Sequence, residues 1–236
     1  MQTLKQKYIQ FLADNFSGLV IKKPLFYKWK VGLRFNLQSG DTFNSHRQIL
    51  DAEGNVVPHI GDTTTKEYFE EANKRAMIIF NEAFSTTDNI LLLVYDFKYK
   101  RRKISLKNYA FKQIDELRKT EISFSIINQL YEPNDKFDKW NSALINLTFN
   151  RINFKNIFKA IANTDFARQP SLDKFGFLSS KEIYFLNLDR KLIFHMYDDR
   201  GIDIIATDKE TLRPLYKKLN EYILEHDRNA IEKKFA

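Results

Sequence analysis

The run of six apolar residues from Ile90 to Tyr95 constrains the fold more than any other feature of the sequence. Successive side chains of a β-strand point to opposite faces, so an unbroken apolar run of this length predicts a central strand that is covered on both faces. Such a strand requires a sheet with further layers of chain on each side. The run is far shorter than the roughly 20 residues of a membrane-spanning helix, so we expect no membrane association.

Two later regions predict antiparallel strands. Residues 122–131 are rich in β-branched and aromatic side chains, and residues 140–150 alternate between apolar and polar ones. The polar loop between them favours a hairpin with one solvated face. Further along, three apolar segments separated by short polar turns predict a three-stranded meander. These segments are residues 182–188, 191–197 and 202–206.

Apolar residues that recur every three or four positions predict helices between the strands. The clearest such pattern follows a capping box at Thr64 and extends to Phe84, and shorter helices are predicted over Asn153 to Asn163 and over Leu106 to Arg118. After the meander, Thr207 begins a single turn, and a helix is predicted to begin near Pro214.

These elements, with a strand predicted from Leu25 to Leu37, indicate the α+β class. We expect antiparallel or mixed sheet elements with scattered helices, and a carboxyl-terminal arrangement of helix, three-stranded meander and helix, because no regular βαβ alternation is present. The 236 residues are predicted to form one domain. A boundary near residue 135 would instead divide them into lobes of about 1–135 and 136–236.

The composition limits the possible functions. The chain has no Cys, which excludes disulfides, thiolate zinc sites, iron–sulfur clusters and thiol catalysis. Its four His residues are dispersed, and the sequence has no P-loop, dinucleotide-binding glycine motif, nucleophile elbow or H-E-x-x-H motif. We therefore expect no cofactor and no metal, and favour a protein that is not an enzyme. The amino-terminal segment has helical spacing instead of a signal-peptide apolar region, which predicts a cytoplasmic location.

The densest polar cluster is the segment from His195 to Asp203. Its carboxylates can hold a hard divalent cation beside an anionic substrate bound by Arg200, because carboxylate oxygens suit Mg²⁺ and a guanidinium binds phosphate in a bidentate manner. The interpretation that we favour is a type I turn over Asp198 to Gly201, with Gly201 in the left-handed conformation. His195 lies in an apolar strand, where a buried structural histidine is the commoner case. The candidate catalytic residues are His195, Asp198, Asp199, Arg200 and Asp203.

The second polar feature is a basic run between residues 98 and 107, which has six positive charges and no acid. It accounts for most of the formal net charge of +8. Tyr99 lies within the run, so phosphates and unpaired bases can be bound by charge and stacking. A solvated loop that protects a sheet edge with charge is the alternative. The candidate anion-binding or nucleic-acid-binding residues are Lys98, Lys100, Arg101, Arg102, Lys103 and Lys107.

Several longer segments share the pattern of one known family. They are PLFYKWKVGLRFNL at 24–37, EANKRAMIIFNEAF at 71–84, WNSALIN at 140–146 and a carboxyl-terminal run that begins IYFLNLDRKLIFHMYDDRG at 183. In these segments the chain resembles a family of uncharacterised bacterial proteins, a domain of unknown function that is common in Gram-positive bacteria. The most distinctive part is the hairpin from Tyr197 to Gly201. The resemblance implies a compact bacterial domain and assigns no catalytic residue.

Three functional hypotheses remain open. The first is a binding module without enzymatic activity whose partner is a protein, for example a bacterial toxin that it neutralises. The second is a nucleic-acid-binding protein that uses the basic run. The third is a metal-assisted phosphate-ester enzyme that uses Asp198, Asp199, Asp203 and Arg200.

Overall fold

The computed structural model describes residues 2–38, 65–97, 104–166, 168–172 and 181–235, together with the backbone of residues 49–50 and 56–57. The strands are β1 (Gly32–Asn36), β2 (Ile49–Leu50), β3 (Val56–Val57), β4 (Asn89–Phe97), β5 (Ile122–Asn128), β6 (Lys139–Thr148), β7 (Lys181–Asn187), β8 (Leu192–Asp198) and β9 (Gly201–Ala206). The α-helices are α1 (Leu4–Asn15), α2 (Lys66–Ala83), α3 (Phe154–Ala162), α4 (Lys209–Lys218) and α5 (Glu225–Phe235).

Seven of these strands form one antiparallel sheet in the order β1-β9-β8-β7-β4-β6-β5, and β2 pairs with β3 separately. The α+β class is therefore confirmed. The predicted meander is present as β7, β8 and β9, with α3 before it and α4 after it. Among the described residues, no helix combines the length and apolarity that a membrane crossing requires.

Strand β4 is the central strand that its apolar sequence predicts. It pairs with β6 on one side and with β7 on the other. Leu91 and Leu93 face the smaller of two cores, which α1 covers, whereas Ile90, Leu92 and Val94 face the larger one, which α2 to α5 cover. The continuous apolar run thus results from a sheet with a layer of chain on each face.

Phe80 of α2 lies at the centre of the larger core. Five other phenylalanine rings surround it, with ring centroids between 4.3 and 5.4 Å from its own. They are Phe84, Phe154, Phe158, Phe185 and Phe194. This packing fixes α2 and α3 against the meander, since the rings come from both helices and from β7 and β8.

The hairpin of β5 and β6 is confirmed, but the expectation of one solvated face is wrong for β6. Residues 140–145 of β6 are all buried, because β6 lies between β4 and β5 and has α1 against one face. Strand β5 is the edge strand, and its side chains alternate between intermediate and exposed after Ile122.

Three local predictions are wrong. Residues 106–118 form turns and a short 3₁₀ helix at Phe111–Gln113 instead of an α-helix. The strand predicted from Leu25 begins only at Gly32, after a 3₁₀ turn at Phe26–Lys28. Helix α4 is continuous through Pro214 and begins after the N-cap residue Asp208.

The first residues of α2 also differ from the prediction. The N-cap is Thr65, whose side chain accepts a hydrogen bond from the Tyr68 backbone N–H at 3.2 Å. Thr64, which the capping box predicted in this role, lies outside the described residues.

Candidate functional site

The segment from Asp198 to Gly201 is a hairpin turn, as the favoured interpretation predicts. Strand β8 ends at Asp198, and β9 begins at Gly201. Asp198 Oδ1 accepts a hydrogen bond from the Arg200 backbone N–H at 2.8 Å, and Asp198 Oδ2 accepts from Arg200 Nε at 2.8 Å and from Arg200 Nη2. The Asp198 and Arg200 side chains therefore stabilise the turn.

The predicted conformation of Gly201 is wrong, because its φ is not in the left-handed region. The glycine is required for a different reason. A Cβ atom at this position would lie 2.1 Å from Tyr197 Oη and 2.6 Å from the Phe35 carbonyl oxygen. Close approach of neighbouring groups selects glycine here.

Asp165, Asp198 and Asp199 form a cluster in which one carboxylate oxygen of each lies within 4.8 Å of the others. Burial raises the pKa of Asp199 to about 6, and the charge of Asp198 acts in the same direction. Tyr68 Oη donates a hydrogen bond to Asp199 Oδ2. Asp203 is not part of this cluster, and Asp165, which the sequence did not single out, takes its place.

Asp203 forms a buried ion pair instead. It accepts hydrogen bonds from Arg34 Nε at 2.7 Å, from Arg34 Nη2 at 2.9 Å and from the Phe26 backbone N–H at 3.0 Å. Neither charged side chain has appreciable contact with solvent, since Arg34 is 8% exposed and Asp203 is fully buried. This pair joins the edge strand β1 to β9.

His195 is buried, with 1% of its surface exposed. Its ring stacks on Tyr184 with a centroid distance of 4.1 Å, and its Nδ1 lies 3.0 Å from the Ile183 carbonyl oxygen. Burial lowers the pKa of the imidazole, so the ring is neutral near pH 7.

A cleft of about 500 Å³ lies beside the hairpin and is lined by Lys23, Arg34 and Arg200 among others. Each of these three cations lies within 4.0 Å of a carboxylate: that of Glu182, Asp203 and Asp198, respectively. The cleft is therefore rich in charge, but its charges already have partners in the protein.

Residues 98–103 of the basic run lie outside the described residues. Lys107, the last member, is exposed in a turn where its backbone N–H donates to Ser105 Oγ at 3.1 Å. Nucleic-acid binding by Lys98, Lys100, Arg101, Arg102, Lys103 and Lys107 stays a prediction.

A second cavity, of about 740 Å³, lies between α2 and α3, and we call it the α2–α3 groove. The two helices run antiparallel, because Phe80 contacts Phe154 at one end and Phe69 contacts Phe166 at the other. Five basic side chains and one acidic side chain line the groove. Its lining is Lys66, Phe69, Glu70, Asn73, Lys74, Met77, Ile78, Asn81, Lys155, Lys159, Asn163, Arg168 and Gln169.

Two buried asparagines in the lining of the groove have unpaired side-chain oxygens. Asn73 is 7% exposed and Asn163 is 1% exposed. The Oδ1 atom of each accepts no hydrogen bond from any residue that the structure describes. The Asn163 amide is oriented by its Nδ2, which donates to the Pro170 carbonyl oxygen at 2.8 Å. A buried acceptor without a donor is uncommon in proteins, and an ordered water or a ligand donor is a common explanation for one.

The sequence carries a signal for this groove, although no catalytic or binding motif includes it. Asn73 is four residues after Phe69 and seven before Phe80, so it occupies a core-facing position of α2 where an apolar residue is expected. Lys155 and Lys159 are one helical turn apart on α3. Only the fold shows that these residues face one cavity.

The family described as Domain of unknown function (DUF3885) matches residues 8–227. The chain belongs to this family. Uncharacterized protein YnaE of Bacillus subtilis (strain 168) is 25% identical over 222 residues, which are 92% of this chain and 97% of YnaE. No solved structure has significant similarity to the chain. The resemblance that the sequence suggested is thus confirmed, and the DUF3885 match includes both the hairpin and the α2–α3 groove.

Proposed function

We propose that this protein is a cytoplasmic, non-enzymatic binding protein whose α2–α3 groove takes a small anionic ligand that also carries N–H or O–H donors, as a nucleoside phosphate does. The observation that carries the proposal is a basic lining that includes two buried asparagines whose side-chain oxygens have no hydrogen-bond partner among the described residues. Its volume of about 740 Å³ is within the range typical of small-molecule sites.

The charge of the groove favours an anion. Lys155 and Lys159 are exposed on α3, and no carboxylate of the described residues lies within 4.0 Å of either amine. On the opposite wall, Lys66 and Lys74 pair with Glu70 and Glu71 of their own helix at 3.2 and 3.4 Å. The two lysines of α3 are therefore the cations most available to a phosphate.

The two asparagine oxygens favour a ligand with hydrogen-bond donors. A buried acceptor without a donor costs about 1–3 kcal/mol, so a ligand N–H or O–H that reaches Asn73 or Asn163 recovers that loss. A fully ionised phosphate offers only acceptors, whereas a base and a ribose supply donors. Met77 and Ile78 add apolar surface against which a ring can pack.

The groove is better suited to binding than to catalysis. Glu70 is the single carboxylate among its described lining residues, and it lies 3.2 Å from Lys66 Nζ. General acid–base catalysis needs a group of suitable pKa that is free to exchange a proton with the substrate. Glu70, held by Lys66, is therefore a poor candidate for such a group.

Calorimetric titration of the full chain with AMP, adenosine and inorganic phosphate tests the proposal. We expect AMP to bind more tightly than either fragment, because only AMP combines the anion with the donors. The double variant Lys155→Glu/Lys159→Glu should weaken AMP binding at least about tenfold, which is 1.4 kcal/mol. The control Lys5→Glu/Lys217→Glu makes the same charge change on exposed lysines outside the groove and should leave the affinity unchanged.

A third variant separates the two parts of the site. Asn73→Leu removes one unpaired oxygen at similar volume, so it should reduce the preference for AMP over phosphate and leave phosphate binding unaffected. Absence of AMP binding at low salt, or equal loss of affinity in the groove variant and in its control, would refute the proposal.

A further inference from the structure

The two edges of the seven-stranded sheet differ in how the chain covers them. At the β1 edge, the backbone N–H of Leu224 donates to the Arg34 carbonyl oxygen at 2.9 Å, and Phe35 pairs with Ile223. The segment between α4 and α5 thus caps β1. At the opposite edge, no described segment pairs with the outer side of β5.

The backbone groups that β5 directs outward can be identified from its pairing with β6. The Gln129 N–H donates to the Asp138 carbonyl oxygen at 2.6 Å, next to the paired residues Asn128 and Lys139. Because hydrogen-bonding direction alternates along a strand, Ser123, Ser125 and Ile127 direct their backbone groups toward β6. The residues that direct their backbone N–H and C=O groups away from β6, which we call outward-facing, are Ile122, Phe124, Ile126 and Asn128.

Strand β5 lacks the features that usually protect an exposed edge. Residues 122–128 include no charged residue and no proline. On the face of the sheet that α2 and α3 cover, Phe124 and Ile126 are 44% and 51% exposed. Backbone groups without a partner among the described residues and exposed apolar side chains are therefore present on the same strand.

We infer that β5 is a dimerisation edge, where a second copy of this chain adds its own β5 in antiparallel orientation about a two-fold axis at Ser125. In this register, residue i meets residue 250 − i of the second copy. Phe124 then pairs with Ile126 of the partner subunit, and Ile122 pairs with Asn128 of the partner subunit. Every outward-facing residue thus meets an outward-facing residue, which is the condition for a regular antiparallel ladder.

Self-pairing is favoured over addition of an unrelated strand because the edge is complementary to itself. The sequence from Ile122 to Asn128 is uncharged, so two copies meet without like-charge repulsion although the whole chain carries +8. The two-fold arrangement places Phe124 and Ile126 of both copies in one apolar cluster. The interface is isologous, so it closes at two subunits.

Sedimentation velocity over a series of concentrations tests the dimer with the full chain. We expect a concentration-dependent doubling of the mass, which Ile126→Lys should abolish because it places two lysines in the shared apolar cluster. Phe137→Lys is the matched control, since Phe137 is 72% exposed in the loop that follows β5. It should leave the dimer intact.

Cysteine cross-linking tests the register, and the absence of native Cys makes it specific. Ser125 would meet its own copy in a non-hydrogen-bonded pair, with Cα atoms about 4.5 Å apart, a distance that a disulfide can bridge. Under a mild oxidant, Ser125→Cys should form a covalent dimer at least about tenfold faster than Ser123→Cys. In the proposed register, the two copies of residue 123 are four residues apart along the strands, or about 13 Å.

A monomer at all concentrations would overturn the inference, as would equal cross-linking of the two cysteine variants. These outcomes do not depend on ligand binding in the α2–α3 groove, because none of the β5 residues lines that groove.

Discussion

Asp199 is a buried carboxyl group in the hairpin between β8 and β9, and its ionisation opposes folding. It is 4% exposed and lies in the cluster with Asp198 and Asp165. Burial raises its pKa from the ordinary 3.8 to about 6, with the charge of Asp198 adding to the effect. The hydrogen bond from Tyr68 acts in the opposite direction and keeps the shift moderate.

The stability of the protein should therefore depend on pH through Asp199. Between about pH 4 and pH 6 the folded chain binds more protons at Asp199 than the unfolded chain does. The contribution of protonated Asp199 to the free energy of unfolding is therefore complete below about pH 4 and is lost as the pH rises through about 6. The shift in pKa corresponds to about 3 kcal/mol. Asp199→Asn keeps an acceptor for Tyr68 and does not ionise. In urea titrations, the free energy of unfolding of the variant minus that of the wild type should increase by about 3 kcal/mol between pH 4 and pH 8.

A difference in the free energy of unfolding between Asp199→Asn and the wild type that stays constant with pH would contradict this assignment.

The sequence could identify the turn at Asp198 to Gly201, because turn chemistry is local. It could not identify Asp165 as the third carboxylate, since 33 residues separate it from Asp198 and only the packing of α3 against the meander brings the two together.

The ion pair of Arg34 and Asp203 links the edge strand β1 to β9 in addition to their backbone pairing. Both side chains are buried, and Asp203 accepts three hydrogen bonds. Removing one member of a buried pair leaves an uncompensated charge and costs about 3–5 kcal/mol, whereas replacing both with apolar side chains is often nearly neutral.

A double-mutant cycle measures this coupling. Arg34→Met and Asp203→Leu should each destabilise the fold strongly, and the double variant should cost less than the sum by at least about 2 kcal/mol. The exposed pair of Lys66 and Glu70, with side chains 74% and 63% exposed, is the control. Its coupling should be below about 1 kcal/mol. Additive effects at Arg34 and Asp203 in urea unfolding would show that the pair is not a coupled unit.

The elements that the sequence predicts well are those whose pattern is complete within the segment, such as β4 and the meander. The helix predicted over Leu106 to Arg118 fails because its backbone has partners elsewhere. The Asp115 N–H donates to the Arg151 carbonyl oxygen, and the Asn153 N–H donates to the Gln113 carbonyl oxygen, each at 2.8 Å. The Asn108 side chain also accepts from the Phe111 N–H. Tertiary pairing thus outweighs a helical pattern.

At the scale of the whole molecule, strands from the two halves of the chain are interleaved in the sheet. Strand β4, from the first half, lies between β7 and β6 from the second, and β1 lies beside β9. Four of the six strand pairings join a strand before residue 135 to one after it. We propose that the chain is one folding unit, because separating lobes at 1–135 and 136–236 would break these four pairings.

The two tryptophans provide a test of this proposal, since they report from the two halves and from opposite regions of the sheet. Trp29 precedes β1, and its Nε1 donates to the Ala206 carbonyl oxygen at 2.8 Å. Trp140 lies in β6, and its Nε1 donates to Asp138 Oδ1 at 2.6 Å. Trp29→Phe and Trp140→Phe each leave one reporter. In urea unfolding at low protein concentration, the fluorescence midpoint of each variant should equal its own midpoint from far-ultraviolet circular dichroism.

Comparison of two signals within each variant removes the effect of the substitution on stability, because both signals come from the same molecule. Coincident midpoints in both variants are expected if the interleaved sheet unfolds cooperatively. If instead one half lost its fluorescence signal before the circular dichroism changed, the four pairings that join the halves would contribute too little to couple them, and two lobes would be the correct description.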